Sequence, residues 1–497
     1  MPSGLILAID QGTTNTKALL VARTGEPVFR ASSPVALVHS IHGHVEQDPL
    51  ALWESVCRAI SDCVRYAEQR GQAIEAAAIS NQRETALTWD AETGKPIADA
   101  ISWQCGRSAE ICQRLEPHAQ AIRAKTGLPL ATLISAGKWA WLLENHAAVQ
   151  ECGRSGRLRV GTVDSWLLHQ FTKGSLHATD LSNASRTGLL NLDSLAWDSE
   201  LLDLFCIPFE SLPELRSSCG SFGTCQGIFG LDGVPVLAAM GDSHAAMFGH
   251  GRYSAGTAKA TYGTGSSLMS LTPDLAADTP SLARTIAWSI DGQTQFALEG
   301  NIAMTGAAVQ WVGEFLHLAD PVQAAATLAA TVTNAGGVYF VPAMVGLGAP
   351  YWDADARGTI TGLGRAHTGA HLARAAVDAI AYQVADVFMA IKDASGLDLP
   401  ALHADGGATR NSVLMQLQAD ILGKPVLRAP NEELSAIGAA WMAGLALGWW
   451  TSLAELAQLP HAVDSFTPNM DDTERRRLYS GWKSAVKHAR LIAEQGL

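Results

Sequence analysis

Basic residues are scarce in this chain of 497 residues: 35 Lys and Arg stand against 48 Asp and Glu, for a formal net charge of -13. No basic cluster is present to track a phosphate backbone or an anionic membrane, so neither nucleic acid nor membrane is expected as a partner. The eight cysteines, at 57, 63, 105, 112, 152, 206, 219 and 225, never form a C-x-x-C pair, and a chain this long does not need disulfides as its main staple. They are expected to be reduced thiols, mostly buried. The longest apolar run, residues 439–450, is about half of what a membrane span needs, and no basic stretch followed by an apolar core opens the sequence. A cytoplasmic location is expected. The loop pattern G-x-x-x-x-G-K-[ST] is absent, so a nucleotide here would be held by another architecture. What the chain does have is apolar residues, 47% against 17% charged, enough to offset chain entropy over about three ordinary domains or two large ones.

The chain opens as a meander: apolar 5–9, a polar turn at 10–16, apolar 18–21, a Thr24-Gly25-Glu26-Pro27 turn, then Val28 and Phe29. A helix follows, with Asp48 as N-cap, Pro49 at its first position, Leu50, Trp53, Cys57, Ile60 and Val64 as the apolar stripe and Gly71 at its end. The grammar returns in the second half: apolar 258–262, a Gly263-Thr264-Gly265 turn, apolar 268–271, then 286–290 and 294–298 about Asp291-Gly292. A second helix there is capped by Thr368 and carries Leu372, Ala376, Ile380, Val384, Val387 and Ile391. The pattern predicts two α/β domains of related build, 1–250 and 251–497, joined near 248–253, with a ligand in the cleft between them.

Five motifs carry candidate chemistry. In DQGTTNTK, residues 10–17, Gly12 lets backbone amides approach an anion, Thr13, Thr14 and Thr16 offer hydroxyls, Lys17 adds charge and Asp10 suits a metal ion; a polar hairpin turn is the plain alternative. YGTGS at 262–266 is the matching turn of the second half. In HADGGATRN, residues 403–411, paired glycines precede a helix expected over 411–422, as an anion or flat ring requires and as any tight strand-to-helix turn also does. NQRET, residues 81–85, follows the apolar run 76–79, where Arg83 beside Glu84 suits adjacent hydroxyls, or forms a surface ion pair. In AAMGDSHA, residues 238–245, Asp242 is either a helix N-cap or a base for a hydroxyl nucleophile. His42, His44, His244 and His250 show no metal-ligand spacing, and Trp311, Trp352, Trp441, Trp449 and Trp450 are core or interface residues by default.

With these motifs and AIDQGTTNTKA, GHVEQDP, ISNQRET, SWQCGRSAEIC, GTVDSWLL, TDLSNASRTGL, VPAMVGLGAPYWDADARG and IGAAWMAGLALG, the chain resembles the FGGY carbohydrate kinases from about Leu5 to Lys487. Within them it is most similar to the members that phosphorylate glycerol. The resemblance implies an α/β protein of two actin-like (ribonuclease H-like, ASKHA) domains with an interdomain ATP cleft. It implies Asp10 at Mg²⁺ and Thr13, Thr14, Asn15 and Lys17 at the phosphates. It further implies Thr264 at the terminal phosphates, Gly306 and Gln310 along the nucleotide, and Gly407 and Asn411 at the adenine and ribose. On the acceptor side it implies Arg83 and Glu84 binding hydroxyls, Trp103 flanking the carbon chain and Asp242 as base. Dimers or tetramers are compatible with the family.

Four positions depart from the glycerol-phosphorylating pattern: Lys17 for Arg, Leu133 for Tyr, Ser243 for Gln and Ser267 for Phe. Smaller side chains enlarge a pocket and remove specific donors. The expected activity is therefore ATP-dependent phosphorylation of a primary hydroxyl on a polyol or ketose of four or five carbons, with glycerol as the alternative acceptor. A non-catalytic ATP-gated binding protein of the actin and heat-shock chaperone fold is a third reading. The Gly- and basic-rich loop through which some family members bind a sugar bisphosphate is not evident at 220–234.

Overall fold

In the computed structural model, residues 4–40, 43–277, 279–431, 433–459 and 463–494 are described; His42 lies outside them. The chain divides into two units: Met1–Tyr253 with Arg284–Phe296 and Glu433–Pro460, and Ser254–Ala283 with Ala297–Glu432 and His461–Leu497.

The first unit is built on a five-stranded sheet. Strands β1 (Leu5–Gln11), β2 (Asn15–Ala22) and β3 (Pro27–Pro34) form the antiparallel meander; helix α1 (Pro49–Gln69) follows, then β4 (Ile74–Asn81) and, far along the chain, β5 (Val236–Gly241). The order is β5-β4-β1-β2-β3, with β4 parallel to both β1 and β5. Leu5 to Ile9 are buried throughout because β1 is central and covered on both faces, which is why it reads as a continuous apolar run. Helix α1 covers one face and the helix Leu434–Leu447 the other, so a segment late in the chain belongs to this unit. Asp48 caps α1 as expected, its carboxylate accepting from the Leu50 amide at 2.8 Å, an arrangement worth about 1 kcal/mol. The buried stripe differs from the expected one. It runs through Leu52, Val56, Ala59, Ile60, Cys63, Val64 and Ala67, while Leu50 is exposed and Trp53 and Cys57 only half-buried. Alanines and a cysteine, weak hydrophobes in a sequence pattern, sit on the sheet because small side chains allow close approach.

The second unit repeats the plan with different residues. Strands β6 (Ala258–Tyr262) and β7 (Ser266–Thr272) form an antiparallel hairpin; β8 (Gln293–Ile302), which enters this unit at Ala297 after a strand at Ala283–Ile290, and β9 (Leu402–Asp405) and β10 (Val426–Arg428) complete the run β8-β7-β6-β9-β10. Here β6 has an antiparallel partner in β7 and a parallel one in β9, as β1 has in β2 and β4. Helix α3 (Gly306–Phe315) follows α2 (Asp242–Gly249) in the chain, and α4 (Gly369–Ser395) is the long helix expected after Thr368, which caps it in a reciprocal box with His371. The predicted positions Leu372, Ala376, Ile380, Val384, Val387 and Ile391 are all buried in its core.

Of the eight cysteines all are free, but only Cys63, Cys105, Cys152 and Cys225 are buried; Cys206 is exposed and the rest intermediate, fewer buried than expected. Trp441, Trp449 and Trp450 are buried, and Trp311 and Trp352 pack against the core of the second unit. No helix among the described residues is long and apolar enough to cross a membrane.

Candidate active site

Parallel pairing of β1, β4 and β5 brings their C-terminal ends to one edge of the first sheet: Asp10 stands opposite Ser80, and Gln11 and Gly241 both stand opposite Asn81. Open α/β sheets bind ligands at that edge. Residues far apart in sequence, Asp10, Arg83, Glu84 and Asp242, thereby converge.

Asp10 accepts a hydrogen bond from Ser80 at 2.9 Å. Burial pushes its pKa up to about 6, against the pull of Lys17 and with a further push from Asp242 and Glu433. A carboxylate held in that state gains from a cation. Among the described residues no three His, Cys, Asp or Glu side chains are grouped to hold a metal by themselves. The Asp10 carboxylate at the sheet edge fits Mg²⁺, which is usually bound through one or two carboxylates together with substrate phosphates.

The turn from β1 to β2 is shaped by amides. Gly12 N–H donates to Asn15 O at 3.0 Å, Gln11 Nε2 donates to Gly12 O and Gln47 Nε2 to Thr13 O, each at 2.7 Å, and Gln82 Nε2 ties Gln11 to Gln47 at 3.0 Å each. Thr13 Oγ1 accepts from the Trp103 indole at 2.9 Å, which leaves its hydroxyl proton to donate, while Thr14 is exposed and Asn15 begins β2. Thr16 does not join them. Strand alternation turns it inward, fully buried and 2.6 Å from the Ser55 hydroxyl, so it is a core residue and no donor to a ligand. Lys17 pairs with Glu433 at 2.9 Å, a contact with a residue 416 positions away that nothing in the sequence announced.

The NQRET segment is no surface ion pair. Arg83 and Glu84 are 9% and 4% exposed, Arg83 Nε lies 3.2 Å from Asp242 Oδ1, and Arg186 Nε donates to Glu84 Oε1 at 2.8 Å. Glu84 has φ 60°, a left-handed conformation that costs a bulky residue roughly 1–3 kcal/mol and is typical of residues held for a purpose. Its carbonyl accepts from Ser135 at 3.1 Å, and the fully buried Lys138 donates to Leu133 O and, at 3.2 Å, to Ile134 O. The half-buried Leu133 is thus pinned close to Glu84. Burial pushes the Lys138 pKa down to about 8, with Glu84 opposing.

Asp242 opens α2 without capping it; Gly241 is the cap residue, and Asp242 Oδ1 takes the Ser243 N–H at 2.6 Å. With 40% of its side chain exposed, in contrast to its buried neighbours, it remains accessible. Ser243 is 8% exposed and His244 is buried against Thr285 at 3.3 Å. Behind them, Ser182 Oγ accepts from Gly241 N at 3.0 Å, Asp180 holds Ser182, Asn183 and Ser218, and Asn183 pairs reciprocally with Asn81. Asp180, Ser182 and Asn183 lie in TDLSNASRTGL. Apart from a family resemblance, only the density of small polar residues in an otherwise apolar stretch marks that block.

The second unit gathers its own candidates. Thr264 is exposed at the β6–β7 turn; its carbonyl accepts from Thr305 N and Ala307 N, and Gly306 N donates to Gly263 O at 3.0 Å. A Cβ on Gly306 would stand 2.6 Å from Gly263 O, and one on Gly265 2.7 Å from Ile302 O, so the turn and the start of α3 approach backbone to backbone, with the Thr305 hydroxyl adding bonds to Gly263 O at 3.1 Å and Thr264 O at 3.3 Å. Gln310, one turn along, is exposed and bonds Glu314 at 2.8 Å. Gly407 opens into space, and Asn411 caps the helix Ser412–Leu422, its Oδ1 accepting from Val413 and Leu414. Ser267 lies within β7, 9% exposed, donating to Glu299 at 2.7 Å.

A doubled actin-like plan with an acidic sheet edge and a glycine-built turn defines a class of ATP-dependent phosphotransferase, and the chain belongs to the FGGY family of carbohydrate kinases: the family's N-terminal domain matches residues 5–249 and its C-terminal domain residues 258–447. It is a kinase that phosphorylates an alcohol group of a carbohydrate or polyol. The chain is 45% identical to "Glycerol kinase" of Symbiobacterium thermophilum over 494 residues, covering 99% of each, and 43% identical to "Glycerol kinase" of Paraburkholderia phytofirmans over 497 residues, covering 99% of this chain and 100% of that one. Among solved structures it is similar to Plasmodium falciparum glycerol kinase with ADP, with TM-score 0.91 and 31% identity over 98% of each chain. The reading as a non-catalytic binding protein is set aside by this membership.

Proposed function

We propose that this chain transfers the terminal phosphoryl group of ATP to a primary hydroxyl of glycerol. The observation that carries the chemistry is the Arg83–Asp242 pair at 3.2 Å on the sheet edge that also bears Asp10. Arg83 and Glu84 bind the acceptor hydroxyls, Trp103 flanks the carbon chain, and the accessible Asp242 takes the proton as the hydroxyl attacks. Thr13, Thr14, Asn15 and Lys17 serve the phosphates. Thr264, Gly306, Gln310, Gly407 and Asn411, in the 251–497 half, serve the nucleotide. Asp10 would hold Mg²⁺, whose chemistry is to neutralise charge on the transferring phosphoryl group.

Glycerol is preferred to the four- or five-carbon acceptor that Leu133, Ser243 and Ser267 suggested. Relatives named glycerol kinase at 42–45% identity over nearly the whole chain support it. So does the state of Ser267: its hydroxyl proton is committed to Glu299, and it offers no new donor to a longer acceptor. ADP release with MgATP, measured as kcat/KM for glycerol, dihydroxyacetone, tetritols, pentitols and pentuloses, tests the assignment. Glycerol is expected to lead by about a hundredfold, a difference of roughly 3 kcal/mol. A pentulose or tetritol in first place would return the smaller side chains to the role of specificity changes.

A further inference from the structure

Lys17 stands opposite Asp10 in the β1–β2 register, and its ammonium lies 2.9 Å from Glu433 Oε2. The other oxygen of Glu433 lies 2.8 Å from Arg30, on β3. The Glu433 side chain is 7% exposed, Lys17 26% and Arg30 55%, so a buried carboxylate holds one partly covered and one solvated cation. Glu433 is the residue immediately before the helix Leu434–Leu447, whose packing on the sheet fixes where its carboxylate falls.

The stoichiometry of this cluster matters. Two cations share the Glu433 carboxylate, so that carboxylate alone does not neutralise both. An ammonium has three N–H bonds, and an ion pair with Glu433 leaves it donors to offer to phosphate oxygens. Lysine is also a point charge on a flexible four-carbon stem, without the preorganised fork of arginine, and gains more from a partner that fixes its direction. A buried carboxylate at the start of the neighbouring helix is suited to that task in a way a surface carboxylate is not, since burial narrows the rotamers open to it.

Resting on the reading of Lys17 as a phosphate ligand, we propose that Glu433 is a positioning residue that orients Lys17 toward the terminal phosphates of ATP and thereby sets the affinity for MgATP. Its role is in binding the donor substrate. The acceptor and the proton transfer at Asp242 do not depend on it.

Steady-state kinetics of the full chain, varying MgATP and glycerol separately, with calorimetric titration of ADP and thermal melting, tests this on Glu433→Gln, Glu433→Asp, Arg30→Met and Lys17→Met. Glu433→Gln is expected to raise KM for MgATP about tenfold and the ADP Kd in parallel, with kcat within threefold and the glycerol KM unmoved. Glu433→Asp, which keeps the charge on a shorter arm, is expected to recover at least half of that loss on a logarithmic scale. Arg30→Met is expected to move KM for MgATP less than twofold, because Lys17 keeps its partner. If Glu433→Gln and Arg30→Met lower Tm alike while KM for MgATP stays within twofold of the parent, the triad is a structural staple and the proposal is overturned. A lowered KM in Glu433→Gln overturns it too, since the pair would then compete with phosphate. Should Glu433→Gln fail to fold, Glu433→Asp decides: a rise of about threefold supports the proposal and an unchanged KM overturns it. Unchanged MgATP kinetics in Lys17→Met would instead overturn the phosphate-ligand reading of Lys17 and this inference with it; loss in Lys17→Met without loss in Glu433→Gln overturns the inference alone.

Discussion

The turns β1–β2 and β6–β7 occupy equivalent places in two sheets of the same plan, yet they are built from different material. The first is held by side chains: Gln11, Gln47 and Gln82 amides, the Trp103 indole and the Lys17–Glu433 pair. The second is held mainly by backbone, with the Thr305, Gly306 and Ala307 amides of one loop end closing on the Gly263 and Thr264 carbonyls and a single side chain, the Thr305 hydroxyl, joining them. A side-chain network places charge and can be tuned residue by residue. A backbone network places amides and tolerates no added atom. The difference suits the proposed division of labour, in which the first turn manages charged groups and the second frames a nucleotide.

The largest expected effect is on the charged side. Asp242→Asn should lower kcat by about a thousandfold, the scale of a lost general base, while leaving ADP binding within a few-fold. Near-parental kcat in that variant would remove the base from the comparison altogether. Next, Arg186→Met leaves Glu84 buried without its partner, and breaking a buried pair costs roughly 3–5 kcal/mol. Denaturant melts should show that loss, and glycerol KM should rise more than MgATP KM. Equal rises would show that Glu84 does not serve the acceptor alone.

Lys138 gives a pH-dependent test. Its folded pKa of about 8 lies below the ordinary 10.5, so between these values the unfolded chain holds a proton that the native chain has lost, and stability rises with pH in that window. The stability of the parent relative to Lys138→Met should therefore increase from pH 8 to 10.5, by at most about 3 kcal/mol. A constant difference would mean that Lys138 stays charged. The smaller effects belong to the turn glycines: Gly306→Ala should cost about 2 kcal/mol through the forced shift of Gly263, with weaker ADP binding. Gly12→Ala, whose Cβ would meet only Asn15 O at 3.0 Å, should cost less, and the reverse order would erase the contrast between the turns.

Much of this was legible from residue order. The strands of both meanders, the caps Asp48 and Thr368 and the repeated plan follow from apolar runs broken by turn residues, since those signals are local. The stripe of α1 differs from the apolar pattern because Ala59, Cys63 and Ala67 carry little hydrophobic weight yet pack on the sheet. Thr16 reads like its neighbours in the turn, because a turn motif does not say where strand alternation begins. Asp10, Arg83, Glu84 and Asp242 were each visible as polar residues ending apolar runs, but the partners Arg186, Glu433, Gln47 and Lys138 were not, because each lies in a segment that reads as ordinary helix or loop.

The amino-acid sequence by itself determined the elements, the doubling of the plan, the kinase family and the chemistry of the residues at the strand ends, because each is written in local pattern or in motif. Only the tertiary structure decided which carboxylate faces which cation. Pairings such as Lys17 with Glu433 and Glu84 with Arg186 span 416 and 102 positions, and they exist because sheet order and helix packing bring those segments together.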